Sequence, residues 1–550
     1  MIDPAFFTLQ KNKLKLLLAW FKNGNWARIV VAGLTTAIFI SLALGVFGFA
    51  YAGFSFLGQY PEASEPIIAY TLAVTFILTL SLTTFSAFAT SLTSLFQKDD
   101  NHLLLSLPIR STIIFESRLI DIVLISSWPL LVFGLPQTLG YGLGVGLDWG
   151  SIFIFLFGFL TLALFSALAG VITAMIISRL WGNLKSAALS WFSFLLTPFL
   201  AWGLIKILLP APLLVNLESL SIPEIASLIK NQFFLYEFLP TTWLVNLIIY
   251  WPQQSRLALQ NLALIFLAYL ALLIFAALLK DAFYRKTVNQ TAAGKFIAGD
   301  RDQSGKKGRF FPYFLPGRIG ALIEKDWLVI FRSPGQFFQL LFIVFLELIY
   351  FLIVSQIPIA RIRQLFPIWY ENKIMALNFL FISYLATVLA MKFLFPLISL
   401  EGQSSWIIWS APISRKKVFG AKLISSFLII LIWLEASTAL SLKTLDLSLS
   451  SAKSFFLANL PLALTLTALT LGIGAIKPNF WEKNAEVLST SPSGLTATLL
   501  CLIYTGLVSF LLFTQKELNF NFQAIIWLIS LLLIIPILFE ASRRIQHHET

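Results

Sequence analysis

The chain is short of the residues that most catalytic and metal chemistry needs. It has a single cysteine, Cys501, set in an apolar run, so neither an intrachain disulfide nor a thiolate metal cluster can form. Its three histidines are His102, His547 and His548, and they lack the spacing of a zinc protease. Charge is scarce as well: 12% of the 550 residues are charged and 58% are hydrophobic, with a mean hydropathy of +0.85. A soluble fold that apolar would expose large greasy patches and aggregate, so the composition points to a multi-pass membrane protein.

Other absences narrow the function. A phosphate-cradling loop requires G-x-x-x-x-G-K-[ST]. The nearest string, Gly299 to Gly305-Lys306-Lys307, has five residues between its glycines and a lysine where the magnesium-binding hydroxyl belongs. The chain therefore carries no nucleotide-binding motif and no ATPase of its own. Glu62 and Glu65 form a tight acidic pair in "YPEASEP", but Pro61 and Pro66 around them read as a loop, and no histidine lies on the same side to complete a catalytic set. No cleavable signal peptide is expected. "FFTLQKNKLKLLLAWFKNGNWAR" is basic and amphipathic, and no long apolar core leads to a cleavage site. It reads as a helix in the membrane interface, with Lys11, Lys15 and Lys22 toward water and Leu14, Leu17, Leu18 and Phe21 toward lipid.

Long hydrophobic runs are what the chain has in abundance. A helix needs about 20 apolar residues to cross the hydrocarbon core. Twelve stretches qualify, near 27–49, 66–96, 119–140, 151–178, 186–209, 258–280, 336–357, 374–400, 422–442, 454–476, 493–513 and 523–541. With the amino terminus inside, most of the 39 Lys and Arg residues fall in inside segments, so both termini are expected to be cytoplasmic. The same placement accounts for the net charge of +13 without nucleic acid as a partner; the basic residues face the membrane surface instead.

One phrase occurs twice. "LLLSLPIRSTIIFESRLI" follows the second run and "WIIWSAPISRKKVFGAKLI" follows the eighth. Aligning Pro108 with Pro412 pairs Ser106 with Ser410, Phe115 with Phe419, Arg118 with Lys422 and Leu119 with Leu423. Upstream, "KLLLAWFKNG" matches "KDWLVIFRSPG", each a basic segment before a first run. The pattern implies two parallel six-span halves, 1–280 and 317–550, joined by a cytoplasmic linker at 281–316 that is polar, basic and glycine-rich.

Each phrase reads as a short apolar helix broken by proline. In the first, Asp99 and Asp100 suit a helix start, Leu103, Leu104 and Leu105 form the body, and Pro108 ends it. In the second, Trp406, Ile407 and Trp409 fill the body, Pro412 breaks it, and Ser414 is placed to cap the next helix. Such a helix needs a cover, either the bilayer interface or another protein.

These segments resemble ABC-2 type exporter permeases. The likeness rests on Ser-[Leu/Ala]-Pro-Ile followed by a basic and apolar stretch ending Arg/Lys-Leu-Ile, and on "EKDWLVIFRSPG" before a first span. The resemblance implies an amphipathic connecting helix before the first span of each half and a coupling helix between the second and third. It also implies external re-entrant helices before the sixth, a place taken in the first half by "SIPEIASLIKNQFFLYEF" and "LPTTWLVNLIIYW". It further implies soluble ABC ATPase subunits that bind ATP and magnesium and dock from the cytoplasm, membrane lipid as surroundings, a further permease subunit as an option, and a place in the cytoplasmic (inner) membrane. The chain itself is expected to hold no cofactor and no metal.

A different reading uses buried charge. Glu347, Lys392 and Glu435 sit within expected spans, where ionisable groups are costly and default to functional candidates. They suit either an ion- or proton-coupled transporter or structural glue, with Lys392 neutralising one glutamate. The cargo, whether lipid, peptide, drug or ion, cannot be read from the chain, nor can transport be told from regulation.

Overall fold

The computed structural model describes residues 7–13, 15, 19, 26–58, 61–97, 111–181, 239–251, 254–280, 318–332, 334–355, 369–404, 410, 414–445, 449–482, 485–514 and 522–547. Within them every element is helical. Nine helices are long and apolar enough to cross a membrane, and a bent pair makes ten. In hydrocarbon each segment must satisfy its own backbone groups, and a helix does so locally. Its small polar side chains do likewise, as when Thr83 Oγ1 donates to the carbonyl of Thr79 at 2.7 Å and Thr438 Oγ1 to that of Leu434 at 2.7 Å.

The described helices fall into two compact units. The first holds residues 7–13 and helices α1 (Trp26–Leu57, of which Val30–Ala32 are grouped with the second), α2 (Pro61–Ser91), α3 (Ser111–Ser126), α4 (Leu135–Gly144), α5 (Trp149–Trp181), α6 (Pro240–Tyr250) and α7 (Ser255–Leu279). Phe76, Phe155, Leu72 and Leu162 fill its core. Small residues let the helices close up. A Cβ on Gly170 of α5 would lie 2.4 Å from the carbonyl oxygen of Thr84 on α2, and one on Gly140 of α4 would lie 2.7 Å from Ala50 Cβ on α1. Asp148 caps α5 by accepting from the Ser151 amide at 3.2 Å. The Ser151 hydroxyl, donating to the same carboxylate, is the main reason that its pKa lies below the ordinary value.

The second unit holds α8 (Arg318–Arg332), α9 (Pro334–Ser355), α10 (Trp369–Leu389), α11 (Arg415–Thr444), α12 (Leu449–Ile476), α13 (Ala485–Ser489), α14 (Pro492–Thr514) and α15 (Gln523–His547). Its core gathers Phe379, Phe455, Leu385, Leu462, Leu466 and Val508 from α10, α12 and α14. α9 is pinned to α10 by Tyr350, whose hydroxyl donates to Asn378 Oδ1 at 2.8 Å and whose ring stacks on Phe381 with centroids 3.9 Å apart. On α15, Leu528, Leu532, Ile535 and Phe539 stay exposed, as a lipid-facing row does.

Several expectations change on contact with the structure. The run at 119–140 is not one straight span: α3 and the stretch Leu130–Gly144, which opens as a π-helix and continues as α4, bend by 46° at a break that holds Pro129, which cannot supply the backbone donor of a straight helix. "YPEASEP" is not a loop, since α2 begins at Pro61, where a missing amide hydrogen costs nothing and carboxylates suit the helix start. Trp243 and Tyr250, in the segment expected to be re-entrant, belong to α6, an 11-residue helix whose Leu244 and Leu247 are fully buried and whose Tyr250 is exposed. Ser414 occupies the N-cap position of α11 but makes no side-chain capping bond. The expected span 186–209, the segment 221–238 and the linker 281–316 lie outside the described residues.

Candidate functional site

The strongest concentration of buried charge lies where α8 meets the ends of α10 and α11. α8 is amphipathic and carries Lys325, Asp326 and Trp327 in succession. α10 does not run straight into the segment that follows it. It widens into a π-helical turn at Ala390–Leu394, tightens at Phe395–Leu397 around Pro396, and ends in a loose turn, Ser399–Ser404. Gly402 in that turn has φ +59° and ψ −151°, a region that an L side chain enters only with strain. The turn presents Glu401 to Lys422, eight residues into α11.

The four charges form one network. Lys422 Nζ donates to Glu401 Oε1 at 2.6 Å and to Asp326 Oδ1 and Oδ2 at 3.1 and 3.2 Å. Lys325 Nζ bonds the same Glu401 oxygen at 2.5 Å and lies 3.4 Å from Asp326. Two cations and two carboxylates cancel, which a buried cluster requires. Lys422 is 3% exposed and Asp326 4%. Beside them Trp327 Nε1 donates to Ser425 Oγ at 2.9 Å, one turn along α11 from Lys422. Three chain segments are thus locked together: the interfacial helix, the end of one span and the start of the next.

The first unit has a tie in the corresponding place. Lys13 Nζ reaches both Asp121 oxygens on α3 at 2.8 Å, and it also donates to the Ser117 hydroxyl at 2.8 Å and the Ser117 carbonyl at 3.1 Å. Gln10 Nε2 adds a bond to Ser117 Oγ at 3.3 Å. Arg118, aligned with Lys422 in the sequence, is 5% exposed and lies 3.9 Å from Asp121. Here the interfacial helix contributes the cation and the span the carboxylate, the reverse of Asp326 and Lys422. Lys11 and Lys15 point outward as the amphipathic pattern requires.

Of the residues singled out from the sequence, Asp99, Asp100, Leu103, Leu104, Leu105, Pro108, Trp406, Ile407, Trp409 and Pro412 lie outside the described residues. α2 ends in a π-helical turn, Leu92–Gln97, just before the first of these groups, whereas the π-helical turn after α10 is separated from the second by the turns at Phe395–Leu397 and Ser399–Ser404. Glu347 on α9 accepts from the hydroxyl of Ser437 on α11. Glu435, two residues from Ser437, is turned about 200° away around the same helix. Lys392 sits in the π-helical turn after α10, and among the described residues no ion pair joins it to Glu347 or Glu435.

Sequence reasoning missed Asp326, Glu401 and Lys13 as partners. Asp326 and Lys422 are 96 residues apart and Lys13 and Asp121 are 108 apart, so no local spacing links them. The available signal was a pair of acidic residues, Asp326 and Glu401, each placed at the edge of an apolar run without a local reason.

Apolar helices of spanning length define an all-α, multi-pass membrane protein that resembles an ABC-family permease. A family model described as "Putative ATP-binding cassette" matches residues 24–536, and the chain belongs to that family. No curated protein and no solved structure matches it. The family's description names ATP binding, yet this sequence has no phosphate-binding loop.

Proposed function

We propose that the chain is the membrane-spanning permease of an ATP-driven exporter, energised by separate ATPase subunits that bring ATP and magnesium and dock on the cytoplasmic segments around Pro108 and Pro412. It would contain twelve spans in two parallel six-span halves, with both termini on the cytoplasmic side of the inner membrane. Family membership supports the class. The repeated phrase supports the duplication, as does the tie of each amphipathic segment to the helix after that phrase.

The observation that carries the coupling role is the charge network of Lys325, Asp326, Glu401 and Lys422. Glu401 is four residues before the 405–413 segment. A push on that segment reaches Glu401 first, and through Lys422 and Asp326 it reaches α11 and α8 together. A flexible or solvated loop would absorb such a push, whereas a neutral, buried ionic cluster transmits it.

The test is co-purification of a nucleotide-binding subunit with the full chain from its native cells. Leu104→Asp combined with Trp409→Asp should abolish that association while the chain remains membrane-inserted. A second reading, ion-coupled transport, draws on the buried contact of Glu347 with Ser437. Transport that persists without any ATPase and is lost in Glu347→Gln would decide for it and against the first.

A further inference from the structure

A separate feature lies at the end of the second unit where α11 starts and α15 finishes. Arg415 Nη1 donates to the carbonyl of Ile545 at 3.4 Å, which brings the two helix ends together. Beneath them Ile398, Phe419, Leu471, Ala475, Ala541 and Ile545 form one buried apolar cluster, with Ile476 and Phe480 against it. Around this cluster three helix ends present cations: Arg415, Lys416 and Lys417 from α11, Lys477 just after α12, and Arg543 and Arg544 from α15. Lys416, Lys417, Lys477 and Arg543 are exposed. Arg544 is held by Glu540 on its own helix at 2.7 Å. Trp481 stands 79% exposed beside Lys477, its amide accepted by Asn479 Oδ1.

Two aspects of this patch work against the protein's own stability. Three cations occupy the first turn of α11, the end of a helix that repels positive charge, and no side chain caps it. Lys416, Lys417 and Lys477 join no ion pair among the described residues. Such charge is tolerated when an outside anion supplies the balance. The helices themselves say where that anion is. α11 and α15 continue without a break from the basic turns into membrane-spanning length, so the patch lies within one or two turns of the headgroup layer. An exposed tryptophan next to lysines suits the same layer.

We propose that this patch is a binding surface for the anionic phospholipid headgroups of the adjoining leaflet, which Lys416, Lys417 and Lys477 contact through their phosphates. The charge count and the continuity with the spans both point to lipid rather than to a soluble partner. The proposal does not depend on the ATPase reading, and its test needs no ATPase.

The experiment uses the purified full chain in nanodiscs of phosphatidylcholine with increasing phosphatidylglycerol, read by the thermal unfolding midpoint. The wild type should gain stability as phosphatidylglycerol is added, and lose the gain when ionic strength is raised from 0.1 to 1 M, since screening then shortens to about 3 Å. Each cation removed should weaken headgroup association about fivefold. Lys416→Gln/Lys417→Gln/Lys477→Gln should therefore lose the phosphatidylglycerol shift, while its midpoint in pure phosphatidylcholine stays level with the wild type or rises slightly, because two cations leave the amino-terminal turn of α11. Arg256→Gln, on an exposed residue of the first unit, should keep the shift. An undiminished shift in the triple variant would overturn the proposal, as would a wild type indifferent to phosphatidylglycerol. Inorganic phosphate or a poly-glutamate peptide producing the same shift in phosphatidylcholine alone would overturn it in favour of a free anion or an acidic protein. If the triple variant fails to fold, the salt dependence of the wild type and the single Lys477→Gln variant still decide the matter.

Discussion

Replacing Lys422 by methionine removes the buried cation that hydrogen-bonds both carboxylates of the network. At 2.6 Å from Glu401 and 3.1 Å from Asp326, its two attractions are roughly 5 to 6 kcal/mol each at an effective dielectric constant of about 20. Desolvation of the buried ions offsets most of that. What the variant loses is therefore not the gross attraction but the neutrality of the cluster: two buried carboxylates remain, with only Lys325 between them. Removing one partner of a buried pair costs about 3–5 kcal/mol. Lys325→Met should cost far less, about 1 kcal/mol, because its side chain is 38% exposed and Lys422 still serves both acids. The assay is denaturant titration of the full chain in detergent micelles, followed by tryptophan fluorescence. Combining Lys422→Met with Asp326→Asn and Glu401→Gln should recover most of the loss, since no uncompensated charge is then buried. If Lys422→Met is no more damaging than Lys325→Met, or the triple variant is worse than the single, the network is not the linchpin described above.

Two further perturbations test the packing and the first unit's tie. Gly170→Ala places a methyl 2.4 Å from the Thr84 carbonyl oxygen and 2.6 Å from Ala87 Cβ, atoms of a packed helix that cannot swing aside, and should lower stability by at least about 1–3 kcal/mol in the same titration. Gly48→Ala, whose new methyl meets nothing within 4 Å, should instead be neutral or gain up to about 1 kcal/mol from helix propensity. Lys13→Met should free residues 7–13 from α3; with both partners partly exposed the tie is worth about 1 kcal/mol, so amide hydrogen exchange there should quicken about fivefold, and Asp121→Asn should do the same.

The amino-acid sequence by itself marked most of the described helices that are long and apolar enough to cross a membrane. The runs that became α5, α7, α12, α14 and α15 were legible as helices. The reason is that a helix in hydrocarbon is a local solution: length, apolarity and backbone bonds closed within one segment are properties of neighbours in the chain. Proline effects were half legible. Pro129 and Pro136 stood in plain view, but whether they would break the helix or only bend it depended on what packed against Gly134 and Gly140. Only the tertiary structure decided which charges meet. Lys422 finds Asp326 and Glu401, and Lys13 finds Asp121, across 96, 21 and 108 residues of chain. A buried ion pair is selected by which helices stand side by side, and no periodicity along one helix records its neighbour.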